Sequence, residues 1–518
     1  MGIFIFLAGL IGVAATYLIP IISRDTIRFI EMAYALSCKD WGLFLAEDFH
    51  PLHSVFIYGW YCITHNFVDA ARFASISLWM AGFVPLFYIA RFLFGVRTAR
   101  ITLALWMLHP YAVRFAADGL SEPCYISFLI AALWAGFLAM IGKRLVLLSF
   151  SAGILAAGAY LTRPEGIGVM IILGLFRLFY PNSSVKPLRR IVLCAVLAGG
   201  FMLAAFPYMV LLHQQTGEWC ITKKKPVSSF FPNWIQHNFS ANVPDGVEAL
   251  EPASKLVSED DALLPDGVRC AGLPKGNISN VKKFIIMNSE FIRTFHPLLF
   301  VFFLIWLIFG ARTFTSNQRL LVLMIGGLFV LYYYILCKLT LTYYISKRHL
   351  LPIALLLMPF GARGLEIFCT WRRLNFIYGK TKRVFKPFLP VLLICLLVLG
   401  LKTFKPTRKE KMYIKDIAQW LAVNTNTSAV FAVDDARIPF YGKLNYTVLP
   451  KHYLSEDEIE RFLGDTGAQY VLIGKENKKT FYPDIEKRPS IKVKYIFRDT
   501  DNTTGAVVYL LYEYTDSP

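Results

Sequence analysis

MGIFIFLAGLIGVAATYLIPII, residues 1–22, is the stretch on which the class of this protein turns. It is about as long as one helix needs to be to cross a hydrocarbon layer. It has no basic start and no small-residue cleavage site after a short core, so it reads as a retained transmembrane helix and not as a removed signal peptide. The rest of the chain agrees: of 518 residues, 56% are hydrophobic and 17% charged, and the mean hydropathy is +0.49. These values exclude an ordinary soluble enzyme and indicate a polytopic membrane protein.

Further apolar segments lie near residues 72–93, 99–116, 120–140, 145–161, 166–180, 191–213, 294–311, 319–337, 348–364 and 388–403. They predict an all-α membrane bundle of about 11 to 13 transmembrane helices over residues 1–403. The net charge of +19 would suggest nucleic acid in a soluble protein. Here much of the excess sits in short turns between apolar segments, as positive-inside bias requires, so no nucleic-acid partner is expected. The nine cysteines form no CxxC pair. Cys220 and Cys270 share one polar loop and would suit a disulfide if that loop is extracytoplasmic.

The basic run 366–387, with Arg372, Arg373, Lys380, Lys382, Arg383 and Lys386, sets the orientation. If that loop is cytoplasmic, the outer loops 23–50 and 214–293 and the tail 404–518 lie outside. Gly142–Arg144 and Arg177–Arg190 then lie inside. One conflict remains between Asp25 and Asp118, where three apolar stretches (51–67, 72–93, 99–116) stand in place of an even number. A partly embedded or returning segment after His50 resolves it.

The tail reads as a small extracytoplasmic α/β domain. Ile414, Ile417 and Leu421 share a helical stripe, and SAVFAVD is a short strand. LSEDEIERFLG predicts a helix capped by Ser455 and stopped by Gly464. AQYVLIG, KVKYIF and AVVYLLYEY predict further strands, the last two joined across DTDNTTG.

Polar residues gather at the outer ends of the apolar segments. AEDFHPLHS, Ala46–Ser54, places His50 and His53 at the mouth of one. Before it, Ile27, Ile30 and Tyr34 recur at helical spacing, the pattern of a helix lying along the interface. ADGLSEP supplies Asp118 and Glu122, with Ser121 as cap of a new helix, and Arg114 is a candidate partner for Asp118. LTRPEGIG supplies Arg163 and Glu165. LTLTYYISKRHLLP supplies Tyr343, Tyr344, Lys347, Arg348 and His349, and outer-side cations of this kind run against positive-inside bias. An anionic ligand such as a phosphate explains them.

With these motifs in order (Asp25 after the first helix, HPLHS, ADGLSE, TRPEG, YYISKRHLLP), the layout resembles the polytopic glycosyltransferases of the GT-C fold. It is most similar to the dolichyl-phosphate-mannose protein mannosyltransferase-like group and its bacterial lipid A glycosyltransferase relatives. The resemblance covers roughly residues 1–364 and implies transfer of a sugar from a polyprenyl-phosphate donor to a lipid, glycan or protein acceptor, at the outer face of a bacterial plasma membrane. It implies catalytic roles for Asp25 and Asp118. The substrate-binding candidates are His50, His53, Glu122, Arg163, Glu165, Tyr344, Lys347, Arg348 and His349. The chain departs from the family's HPPL, reading His50-Pro51-Leu52-His53, and from its Asp-Glu pair, since Thr26 follows Asp25. Some relatives hold a divalent metal near their acids, and the sequence leaves that open. The chemistry needs a base near the acceptor hydroxyl and positive charge near the departing phosphate. The competing class is a transporter or flippase, for which charges in a bundle and proline-broken helices are also suited.

Overall fold

The computed structural model describes residues 1–46, 48–142, 144–180, 186–217, 219–223, 280–310, 314–342, 346–370, 388–450, 456–475, 485, 490–498 and 507–514. Tyr343, Tyr344, Cys270, Ser455 and the basic run after Thr370 fall outside them. The chain divides into two units. The first holds the described residues within Met1–Leu18, Phe29–Val243 and Ala262–Lys405, and the second holds Ile19–Arg28 with those of Pro406–Pro518.

The first unit is an all-α bundle. Six of its described helices are long and apolar enough to cross a membrane: Phe67–Phe94, Glu122–Ile141 (α9), Leu145–Thr162 (α10), Pro187–Thr216 (α12), Ser316–Cys337 and Lys347–Thr370. A seventh span is made if Phe284–Phe295 and Pro297–Phe309, bent by 97°, count as one. The expected 11 to 13 spans are therefore corrected to this smaller number. The helices at Gly2–Thr16 (α1), Ile167–Phe179 (α11) and Phe388–Thr403 contain 15, 13 and 16 residues, fewer than the roughly 20 a perpendicular crossing takes. The 99–116 segment is broken into Val96–Met107 (α7) and Pro110–Ala117 (α8). The break lies at His109-Pro110, because a proline disfavours helical backbone at the residue before it, and His109 takes φ −70, ψ 118.

Close backbone approach holds the bundle together. A Cβ on Gly153 of α10 would lie 2.1 Å from the Leu197 carbonyl oxygen of α12, and one on Gly200 would lie 2.3 Å from the Phe150 oxygen. Reciprocal glycines of this kind let two membrane helices pack at van der Waals distance. Gly364 plays the same part for Lys347–Thr370 against Phe302 of the helix Pro297–Phe309. Trp79, Trp106, Tyr125, Tyr160, Phe83 and Phe137 are fully buried between helices.

The second unit carries a five-stranded sheet in the order β2-β1-β3-β5-β4. β1 (Val430–Val433) pairs in parallel with β2 (Asn445–Val448) and β3 (Ala468–Gly474). β5 (Val507–Tyr514) pairs antiparallel with β3 and with β4 (Ile491–Arg498). The helix Tyr413–Asn424 buries Ile414, Ile417 and Leu421 on one face with Phe431, Val433, Leu472 and Leu511 of the sheet. Each such side chain removed from water contributes on the order of 1.5–3 kcal/mol. Ile21 is 0% exposed in this same core. Its carbonyl accepts from Arg408 at 2.9 Å, and Ile22 N–H donates to the Tyr441 hydroxyl at 3.0 Å. The helix Glu456–Thr466 runs past Gly464, and the residue that ends it is Gly467, whose φ of +64 suits glycine.

Candidate active site

The polar residues of the first unit are fixed by three short motifs. In ADGLSEP the chain ends α8 and begins α9 with almost no loop. Gly119 takes φ +78, its N–H bonds the Ala116 carbonyl, and Leu120 N–H reaches back to Phe115. This is a Schellman turn, which satisfies the last carbonyls of α8. Ser121 occupies the cap position of α9 but makes no side-chain cap bond. His53 and Ser75 strut the turn from neighbouring helices. His53 Nε2–H donates to Gly119 O at 3.1 Å, and Ser75 Oγ–H donates to Leu120 O at 2.8 Å. His53 is fully buried in that role.

TRPEG is built by its proline and glycine. Arg163 precedes Pro164 and is extended at φ −152, ψ 138, as a residue before proline prefers. Pro164–Gly166 then forms one 3-10 turn. A Cβ on Gly166 would lie 2.3 Å from Ala159 C and Tyr160 N, so only glycine lets this turn fold back on the end of α10. Arg163 and Glu165 consequently leave the turn side by side, Nε to Oε2 at 3.6 Å.

The third motif opens the helix Lys347–Thr370. Arg348 and Arg163 meet on one carboxylate: Arg163 Nη1 donates to Glu122 Oε1 at 2.7 Å, and Arg348 Nε donates to the same oxygen at 2.5 Å. Glu122 is 0% exposed, and its second oxygen, Oε2, has no hydrogen-bond partner. Burial works against charge on Arg163, but Glu165 and Glu122 beside it raise its pKa above the ordinary arginine value. Lys347 is buried with Nζ 5.0 Å from the centre of the Tyr111 ring, and Lys402 Nζ lies equally near that ring. Ser346 Oγ–H donates to His349 Nδ1 at 2.9 Å.

Of the expected site residues, Glu122, Arg163, Glu165 and Arg348 thus form one contiguous cluster. Asp118 is 4% exposed at the end of α8, four residues before Glu122. Arg114, one turn earlier on α8, donates from Nη2 to the Lys402 carbonyl at 2.8 Å. His50 packs between Tyr160 and Tyr208, ring centres 5.1 and 5.2 Å away. Asp25 stands in the first turn of the helix Arg24–Ser37 and belongs to the second unit. There its neighbour Arg24 bonds Asp435 Oδ2 at 3.0 Å. In the same helix Ile27 and Ile30 are buried and Tyr34 is 55% exposed.

Two residues that the sequence reading passed over belong with the cluster. Tyr125, one turn beyond Glu122, and Tyr332 are buried within electrostatic reach of Arg163 and Glu165. Their rings are stacked with centres 6.4 Å apart. Tyr125 was findable from its spacing to Glu122. Tyr332 lies in the run LYYYILC, which gives no local sign of which ring turns inward. Among the described residues no three His, Cys, Asp or Glu side chains could jointly hold a metal ion.

A profile of the dolichyl-phosphate-mannose-protein mannosyltransferase family matches residues 48–210. No curated protein matches the chain by sequence. Among solved structures, ArnT from Cupriavidus metallidurans bound to undecaprenyl phosphate is similar at a TM-score of 0.59 with 13% identity, over 98% of this chain and 97% of that one. The oligosaccharyltransferase AglB from Archaeoglobus fulgidus, in complex with an inhibitory peptide and a dolichol-phosphate, gives 0.57 and 13% over 99% and 74%. The Archaeoglobus fulgidus oligosaccharyltransferase complex with Zn and sulfate gives 0.55 and 14% over 98% and 72%. The GT-C fold that the motifs resemble is the fold of this chain.

Proposed function

We propose that this GT-C-fold membrane protein is a glycosyltransferase that moves a sugar from a polyprenyl-phosphate-linked donor to a lipid, glycan or protein acceptor at a membrane face. The observation that carries the reading is the Arg163–Glu122–Arg348 cluster, set in a fold shared along nearly its whole length with a protein solved with undecaprenyl phosphate. The face is taken as the extracytoplasmic side of a bacterial plasma membrane, from the alternation of basic loops.

In this reading the acceptor oxygen attacks the anomeric carbon as the bond from that carbon to the phosphate oxygen breaks. The acceptor proton passes to a carboxylate, Asp25 or Asp118, and the polyprenyl phosphate departs with its electron pair. Arg163, Arg348 and Lys347 stabilise the charge gathering on the leaving phosphate. A phosphate oxygen would compete with Glu122 for the two guanidinium groups, because planar guanidinium N–H donors suit either anion. His50, His349 and Tyr344 are assigned to the walls that receive sugar and acceptor. Glu122 is committed to two arginines and does not suit a divalent cation, and no step is assigned to a metal.

The test is transfer from radiolabelled polyprenyl-phosphate sugars to a membrane lipid extract, with purified protein in nanodiscs. Asp25→Asn and Asp118→Asn should insert normally, and the variant lacking the base should lose roughly 10²-fold or more in turnover. Movement of a solute across liposomes without any sugar transfer would replace this reading with the transporter.

A further inference from the structure

The far end of α11 from Arg163, on the order of 20 Å away along the helix, carries a second set of charges that sugar transfer leaves unused. Arg177 stands in its last turn and is 6% exposed. Its Nη1 donates to the Ala139 carbonyl of α9 at 3.1 Å. Its Nε and Nη2 are buried, and neither has a hydrogen-bond partner.

Two more arginines come to the same level. α12 opens with Pro187-Leu188-Arg189-Arg190 and runs antiparallel beside α11. Cys194 Sγ lies 3.7 Å from the Gly174 carbonyl, and Arg190 Nη1 donates to the Tyr180 carbonyl at 3.3 Å. The turn holding Arg177 lies between those two levels. Among the described residues no carboxylate is bonded to Arg177. The sequence has no acidic residue between Glu122 and Glu165 or between Glu165 and Glu218, nor any between Glu290 and Glu366. Glu366, toward this end of Lys347–Thr370, is already bonded by Thr98 and Arg363 and lies 3.5 Å from Arg97.

A guanidinium stays charged even when buried, and buried polar groups in native folds are hydrogen-bonded. A water would satisfy an N–H but would leave the charge unanswered. The bare donors of buried Arg177, with two further arginines at its level, call for an acceptor that is itself an anion. Phe179, Leu188 and Ile191, on the turns beside them, are 73%, 74% and 57% exposed, and such side chains belong against acyl chains. We propose that Arg177, Arg189 and Arg190 bind a phosphate group, that of an anionic phospholipid whose acyl chains lie along Phe179, Leu188 and Ile191.

Native mass spectrometry of delipidated full-length protein tests this with phosphatidylglycerol, phosphatidylcholine and inorganic phosphate as probes. Wild type should retain phosphatidylglycerol in preference to phosphatidylcholine. Arg177→Gln should weaken that retention about tenfold, the value of one charge-assisted contact. Because Arg177→Gln disturbs a buried site, Arg189→Gln with Arg190→Gln, at outward-lying positions, provides the folded control and should weaken retention by a similar factor. Displacement by inorganic phosphate at millimolar concentration would establish the phosphate site and remove the acyl-chain part. Equal retention of both lipids, or unchanged retention in both variants, would overturn the site altogether.

Discussion

Asp435 lies between two arginines: Arg24 Nη2 at 3.0 Å and Arg437 Nη2 at 2.6 Å, its own side chain 2% exposed. Burial alone would raise its pKa, but Arg24 and Arg437 overcome that and hold the carboxyl well below the usual carboxylate range. The folded state therefore binds this proton less readily than the unfolded chain. The stabilisation is complete above the unfolded pKa, roughly 4, and is lost as pH falls below it. Lys411 has the same slope: burial, then Arg437, lowers it to about 8, so its cost is present below that pH and eases as pH rises. Asp435→Asn should flatten the acid side of the unfolding-temperature profile, measured in detergent between roughly pH 6 and 3. A variant as acid-sensitive as wild type would remove Asp435 from the account. Legibility at this scale followed sequence distance. Arg163 and Glu165 were readable as a pair because one turn separates them, whereas Arg24 and Asp435 stand 411 positions apart and no spacing links them. Glu122 was visible as a helix start, but its partners reach it only through the topology.

Among the elements, the 3-10 turn Pro164–Gly166 has the least room for change. Gly166→Ala would press a methyl into the backbone of Ala159 and Tyr160. It should cost about 1–3 kcal/mol and displace the Arg163–Glu165 pair, lowering transfer more than donor retention. Gly174→Ala, where a Cβ meets nothing within 4 Å, should change neither. Thermal unfolding and turnover of the two variants decide the point, and equal behaviour would show that the turn can yield. The long apolar helices were legible because twenty apolar residues have few other uses. The breaks were harder, since hydrophobic periodicity does not register one residue changing the direction of the chain. Pro110 and Pro297 both announce their breaks by the rule that the residue before a proline avoids helical backbone, but the rule does not say that His296 would take φ +78. β2 escaped notice because four half-exposed residues are too few to show alternation.

At the scale of the whole molecule, the alternation of basic loops predicts that residues 214–293 and the tail share one side of the membrane. The predicted arrangement places Arg144 and Arg177 on the other side. Single cysteines at Asp457 and Arg144, in a background with the exposed Cys38 and Cys62 and the remaining cysteines replaced by serine, test it with an impermeant thiol reagent. Asp457 should react in intact cells and Arg144 only after permeabilisation, and the reverse would end the outer-face reading. The core of the second unit has a consequence in time. Ile22 and Tyr441, which it joins, are 419 positions apart, and a ribosome adding 5–20 residues per second needs on the order of half a minute to connect them. Through that interval Ile19–Arg28 has been made but its folding partners have not. A chain interrupted before β5 lacks Tyr509 and Leu511 of the core that buries Ile21, so a break that late is felt at a segment made about 480 residues earlier.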